Sequence, residues 1–410
     1  MAFQANAFQN NAFQVEVAGV GGAGAATFAM LVDDGASVTY AWQTDVTKSL
    51  SGLEQRAACR NKPRQRYEFS TLMTDAQHRA LLSTLAGYAV DAPLFLLGLT
   101  YEAAVVISST ASTITVDDLA LSDWAAPGQR IVVVSPGGDQ GEAVVQAAVG
   151  DTLNILVDLT AIAVEGALVM PAVGVYLDAE QGLARYAVNA GTWSMVARAE
   201  RNGFAGGAVG TGATVNTYDG LPVWDMGIAI EQAAQPLYSG AELVDLGGRI
   251  SMLGSYEAAD WGRAIRIESS SRADWQWLKA FLDTIQGRRR AFLLPSGRPD
   301  LVPISDASTG TLTVEGPPVE DAPDYANDWF PSLAHRRLKL VRTDGTAAYR
   351  EVVSCSAGTG TQDLALDSPL AGALERVEFL ETVRLASDEV TVTWRGLTFD
   401  APLNARVVQR

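Results

Sequence analysis

Apolar residues recur along the chain with two periods, and the switch between them marks the predicted elements. From Ser271 to Pro299, Trp275, Leu278, Phe281, Leu282 and Ile285 fall three and four residues apart, which predicts an amphipathic helix. Gly287 stands where that helix should stop. Arg288, Arg289 and Arg290 follow at its C-terminal end, where the helix dipole favours cations. Ala291–Leu294 then reads as a short buried strand closed by Pro-Ser-Gly. The same succession of helix, glycine and apolar strand occurs earlier, from Thr74 to Gly87 and from Pro93 to Gly98.

Elsewhere the period is two. Val38, Tyr40 and Trp42 alternate with polar residues, as do Tyr67 and Phe69, which predicts half-buried strands. Between Tyr101 and Val175 short strands such as Ser112–Val116, Gln129–Val134 and Asn154–Val157 are separated by turn residues, the pattern of a small barrel or sandwich. The second half retraces this route, and Leu97 aligns with Leu294 and Val134 with Val341. The chain therefore reads as mainly β with a few helices. It is expected to hold two tandem-duplicated β-sandwich or split-barrel domains, each carrying an inserted small β-barrel module. The first domain is expected at 15–100 and 177–200, with its module at 101–176. The second is expected at 236–303 and 379–410, with its module at 304–378. A glycine-rich linker is expected at 201–235.

Residues 1–14 repeat Ala-Phe-Gln three times and predict an extended arm whose Phe3, Phe8 and Phe13 plug pockets on a neighbour. The opposite reading is a partly disordered terminus.

Composition narrows the function. The 410 residues are 48% hydrophobic and carry a net charge of −17, so a packed protein is expected rather than a general nucleic-acid binder. No apolar run approaches the ~20 residues needed to cross a bilayer, so a soluble protein made in the cytoplasm is expected. Two cysteines, Cys59 and Cys355, suggest neither a disulfide framework nor a zinc cluster. The two histidines, His78 and His335, have no ligand or nucleophile at useful spacing, so no catalytic residue, metal or cofactor is expected. Gly19–Gly24 matches GxGxxG, but the acidic pair Asp33-Asp34 comes too soon for the ribose position and no βαβ pattern follows. Asp117 and Asp118 form the acidic pair that a glycan-cleaving protein would need, in a context typical of a turn. Arg60, Arg64 and Arg66, with Arg288–Arg290, stand out from the acidic background. They read either as solvated element ends or as an electrostatic joint to an acidic neighbouring subunit.

Three stretches resemble distal tail and minor tail proteins of long-tailed bacteriophages and gene-transfer agents. They are the Ala-Phe-Gln-rich start, the run from Trp42 through Ser51–Arg56 to Pro63–Tyr67, and the Leu278–Pro295 succession of helix, Gly-Arg and Ala-Phe-Leu-Leu-Pro. The resemblance implies a virion protein of the tail tip that forms a ring joining the tail tube to the baseplate hub, with outward modules carrying fibres or receptor-binding proteins. DNA would pass through its lumen unbound, and no enzymatic activity is implied. Because the halves are duplicated, three chains are favoured over six for a sixfold ring. A carbohydrate-binding or depolymerising tail protein is the alternative.

Overall fold

The computed structural model describes residues 27–30, 35–48, 54–74, 79, 82, 95–119, 122–178, 182–187, 190–204, 213–227, 237–238, 241–245, 250–254, 260–316, 325–332, 335–356 and 360–408. Phe3, Phe8, Phe13, the run Gly19–Gly24, Asp33, Asp34 and His78 lie outside them, as does most of the Thr74–Gly87 stretch, of which Arg79 and Leu82 are helical. The protein is mainly β with few helices.

In the first half the strands are β1 (Thr27–Met30), β2 (Ala36–Lys48), β3 (Glu54–Thr74), β4 (Phe95–Leu99), β5 (Ala104–Ser109) and β6 (Thr113–Val116). They continue with β7 (Arg130–Val134), β8 (Gln140–Val149), β9 (Thr152–Ile155), β10 (Leu168–Leu177), β11 (Gly182–Ala187) and β12 (Ala190–Ala199). The second half opens with β13 (Thr217–Tyr218), β14 (Leu221–Pro222), β15 (Leu237–Tyr238), β16 (Ala241–Asp245), β17 (Ile250–Gly254) and β18 (Asp260–Ser269). Helix α1 (Arg272–Ile285) and β19 (Phe292–Pro295) follow, then β20 (Thr311–Glu315), β21 (Arg337–Arg342), β22 (Ala347–Ser356) and β23 (Thr361–Leu366). The last strands are β24 (Leu374–Leu385), β25 (Glu389–Arg395) and β26 (Thr398–Val407).

Strand pairing repeats between the halves. β4 pairs antiparallel with β10, as β19 does with β24. β3 pairs with β12 as β18 does with β26, β11 with β12 as β25 does with β26, and β10 with β12 as β24 does with β26. β1 runs parallel to β4, and Val223 makes a parallel bridge to Leu293 in β19. One antiparallel sheet crosses the molecule in the order β11-β12-β3-β2-β25-β26-β18-β15, and the halves meet where β2 lies against β25.

Residues 201–235 are more than a linker where they are described. Val223 and Trp224 are fully buried, Phe204 is in the core, and Trp224 N–H donates to Leu293 O at 2.9 Å. The glycines around them conceal a short apolar stretch in which Val215, Trp224 and Met226 pack on the main cluster, and Tyr218, Leu221 and Val223 on Leu293 and Leu380.

Each half carries a closed ring of strands. In the first, β5 pairs with β6, β6 with β9, β9 with β8, β8 with β7, β7 with β10, and β10 returns to β5. In the second, β20, β23, β22, β21 and β24 follow the same order. There the first strand is reduced to two bridges, Leu301 to Val377 and Pro303 to Val314. Each ring has its own apolar filling, with Trp124, Ile114 and Leu153 in one and Leu312, Leu338 and Leu364 in the other. A third cluster spans both halves and holds Tyr40, Trp42 and Trp193 with Trp275, Phe281 and Trp394.

Helix α1 forms where the apolar period places it. The Ser271 side chain accepts from Asp274 N–H at 3.3 Å and caps the first turn. At the other end Gln286, not Gly287, is the cap, with φ of 56°, and Gly287 adds a second left-handed residue at 67°. Strands β24 and β25 are joined by a short turn at 386–388.

Candidate functional site

The joint between the halves is organised around Asp388, in the turn between β24 and β25. Its Oδ2 accepts from Thr44 N–H at 2.8 Å and its Oδ1 from the Thr44 hydroxyl at 2.9 Å. Oδ1 also accepts from Arg288 N–H at 2.9 Å, and the Arg288 guanidinium approaches Oδ2 at 3.4 Å. The Asp388 carbonyl accepts from Trp42 N–H at 2.9 Å. One carboxylate thus fastens β2 of the first half to the end of α1 and the turn of the second. Burial alone would raise its pKa, but the donors on Arg288 and Thr44 and the Arg288 charge hold it below the ordinary aspartate range. Gly287 is required here twice over. Its φ is positive, and an added Cβ would lie 2.6 Å from Asp388 Oδ1 and 3.2 Å from Trp42 Cβ.

Around this joint lie the arginines singled out in the sequence. Arg288 Nη2 donates to Thr44 O at 3.4 Å, and its own carbonyl accepts from Arg56 at 2.7 Å. Arg60 donates to Trp42 O at 3.0 Å, and Lys62 pairs with Asp283 at 2.8 Å. The structure therefore brings Arg60 and Arg288 together at a joint within one chain. Arg289 bonds Gln286 instead, Arg290 is exposed at the helix end, and Arg64 is exposed on β3. Arg66 is exposed and pairs with Glu68 at 2.9 Å.

A second cluster was not singled out in the sequence. Lys279 on α1 is 1% exposed, and its Nζ lies 2.8 Å from Glu102 Oε1 and 2.9 Å from Asp123 Oδ1. Trp275 donates its indole N–H to Glu102 Oε1 at 2.8 Å, and Trp124 donates its own to Glu102 O at 3.0 Å. The helix of the second half thereby grips the base of the first half's module. Burial and the nearby Glu102 carboxylate push the Asp123 pKa up, and Lys279 pulls it back only in part. The signal was present, since Lys279 sits one turn from Trp275 on the apolar face of the predicted helix, where a charge needs a buried partner.

Beside this cluster a cleft of about 580 Å³ is lined by Asp123, Asp225, Glu268 and Asp274 among Met226, Ile267 and Trp277. Every ionisable residue in its lining is acidic. Asp225 is engaged, accepting from Asn216 at 2.7 Å and from the Tyr349 hydroxyl, and Asp274 accepts from Ser269 at 2.6 Å. Among the described residues no three His, Cys, Asp or Glu side chains are placed to hold a metal. His335 packs its ring on Phe379, and burial lowers its pKa. Asp117 accepts from Val105 N–H at 2.9 Å and so closes a turn onto β5. Both Cys59 and Cys355 are free thiols. No protein-family model matches the chain, and no curated protein matches it at a significant level.

Proposed function

We propose that the protein is a structural component of a bacteriophage tail tip or baseplate, forming a ring that joins the tail tube to the hub. Three chains, each contributing two equivalent halves, make the sixfold ring, with six chains as the larger option. The observation that carries this reading is the repeated strand pairing: one sheet crosses both halves, and each half carries a closed strand ring of the same order. A unit repeated within one chain suits a ring whose symmetry exceeds its number of chains. The two strand rings are the outward modules that hold fibres or receptor-binding proteins. A net charge of −17 suits a lumen through which DNA moves without adhering. The Phe3, Phe8 and Phe13 arm contributes to contacts between neighbours.

The test is the mass of the purified full chain by light scattering, with and without residues 1–14, followed by its recovery in purified tails. A trimer or hexamer that loosens without the arm and co-purifies with tails supports the reading. A monomer that never joins a tail overturns it.

A further inference from the structure

Helix α1 is tied to the first half's module through a cluster that leaves negative charge over. Lys279 sets one ammonium against two carboxylates, those of Glu102 and Asp123. Lys279 Nζ holds Asp123 Oδ1 at 2.9 Å, while Asp123 Oδ2 is buried and accepts no hydrogen bond in good geometry. The Gln276 side chain beside it eases the charge without neutralising it. Arg272, the cation at the start of α1, donates to Ala103 O and approaches Ser122 Oγ at 3.4 Å. A buried carboxylate with an open acceptor is costly to keep, and a cation that reaches it would offset that cost.

Asp123 is also the innermost acid of the cleft of about 580 Å³. Its side chain is 2% exposed, Asp225 and Asp274 are half-buried, and Glu268 is exposed. The acids are thus graded from the buried cluster out to solvent. Asp225 and Asp274 are hydrogen-bonded by Asn216, Tyr349 and Ser269, yet an ionised carboxylate has about four acceptor sites, so both can take further donors. The rest of the lining is partly apolar, with Met226 and Trp277 half-buried beside the acids. The volume falls within the ~300–1,000 Å³ of small-molecule sites.

These features select the chemistry of the occupant. Among the described residues no three acids converge as metal ligands. A single ammonium would meet one acid and leave the others unmatched. A chain in which ammonium groups alternate with methylenes satisfies both parts of the lining. Its charges lie on the carboxylates, and its methylenes on Met226 and Trp277, whose ring face also attracts cations. We propose that this cleft binds an aliphatic polyamine, with the innermost ammonium on Asp123 Oδ2 and the outer ones on the acids towards the mouth. The site lies within one chain, so it stands whether or not the chain forms a ring.

The test is calorimetric titration of the purified full chain with spermidine at fixed ionic strength, where saturable one-to-one binding is expected. A chain of net charge −17 attracts any cation diffusely, so variants shown folded by circular dichroism decide the case. Ala273→Lys, at an exposed position of the lining, puts the protein's own ammonium into the cleft and should weaken spermidine about tenfold or more. Glu268→Gln should weaken it about two- to fivefold, the range of one exposed ion pair. Glu315→Gln makes the same change of charge on exposed β20, outside the cleft, and should leave binding unchanged. Asp123→Asn should weaken binding most, and if that variant does not fold, Ala273→Lys and Glu268→Gln settle the matter. Absence of saturable binding, or equal weakening by Glu315→Gln and Glu268→Gln, overturns the proposal. So does displacement of spermidine by an equal concentration of magnesium. N-acetyl-trilysine amide, of equal charge, that competes better than spermidine also overturns it, in favour of a basic protein segment.

Discussion

The two closed strand rings share a pairing order, yet they are tied to the central sheet by different physics. The first is anchored by buried charge: Lys279, Glu102 and Asp123 are nearly inaccessible, and two indole N–H groups complete the cluster. The second is anchored by polar contacts nearer the surface. Tyr349 bonds Asp225, Tyr218 bonds Asp367 at 3.0 Å, and Arg337 pairs with the exposed Asp219. A buried ion cluster adds little net stability but penalises the loss of any member, because the remaining charges are stranded in low dielectric. Contacts open to water fail gently. One architecture is thus held by a brittle tie on one side and a compliant tie on the other.

The sharpest way to break the comparison is at Lys279. Lys279→Met leaves Glu102 and Asp123 facing each other without a cation, and should cost about 3–5 kcal/mol in urea unfolding. The triple change Glu102→Gln, Asp123→Asn and Lys279→Met removes the charges together and should recover most of that loss. If the single change costs less than about 1 kcal/mol, the buried tie is not the anchor described.

Next in size is the joint between the halves, which belongs to neither module. Gly287→Ala forces a Cβ against Asp388 Oδ1 at a positive φ and should cost about 2–3 kcal/mol. Calorimetry that shows an unchanged unfolding temperature would contradict the close packing at Trp42.

Acid should separate the joint from the buried tie. The Asp388 pKa is lower in the folded protein than in the unfolded chain, so the folded state binds that proton less readily. Its contribution is complete above the unfolded aspartate value of about 3.9 and is lost as pH falls through the folded value. Asp123 has the opposite sign: its raised pKa means that the folded state takes up a proton more readily, so stability from this group rises as pH falls towards the ordinary range. Asp388→Asn should therefore flatten the loss of stability below about pH 4, and Asp123→Asn should reduce the rise in stability as pH is lowered towards about 4, measured as unfolding midpoints across pH.

The sequence made some of this legible and concealed the rest, for identifiable reasons. Helix α1 and β19 were readable because their apolar period is strong and uninterrupted. The alternation in β2 was readable because Val38, Tyr40 and Trp42 are all buried on one face. Asp388 was not, because a Ser-Asp pair inside an apolar run looks like any solvated turn. Its importance comes from Thr44 and Arg288, which are distant in sequence. Glu102 and Asp123 were concealed in the same way, since a carboxylate shows its partner only once a helix from the other half arrives. The core role of Val223 and Trp224 was hidden by the glycines around them. Local periodicity survives in one dimension, whereas ion clusters and pairing between strands distant in sequence exist only after folding.

The smallest expected effect lies at the compliant tie. Tyr349→Phe deletes the hydroxyl that donates to Asp225 and keeps the ring 6.0 Å from that of Tyr218. Asp225 retains its bond from Asn216, and its position beside the acidic cleft lets water take the vacated site. The loss should therefore stay near 0.5–1.5 kcal/mol, the usual net value of one hydrogen bond. Hydrogen exchange gives the decisive readout. Amides in β21 and β22 should open more readily in the variant, while those in β5 to β9 stay unchanged, because the first ring is held through Lys279 and not through this contact. Equal loosening of both rings would mean that the ties are coupled through the central sheet, and the contrast between brittle and compliant anchoring would fail.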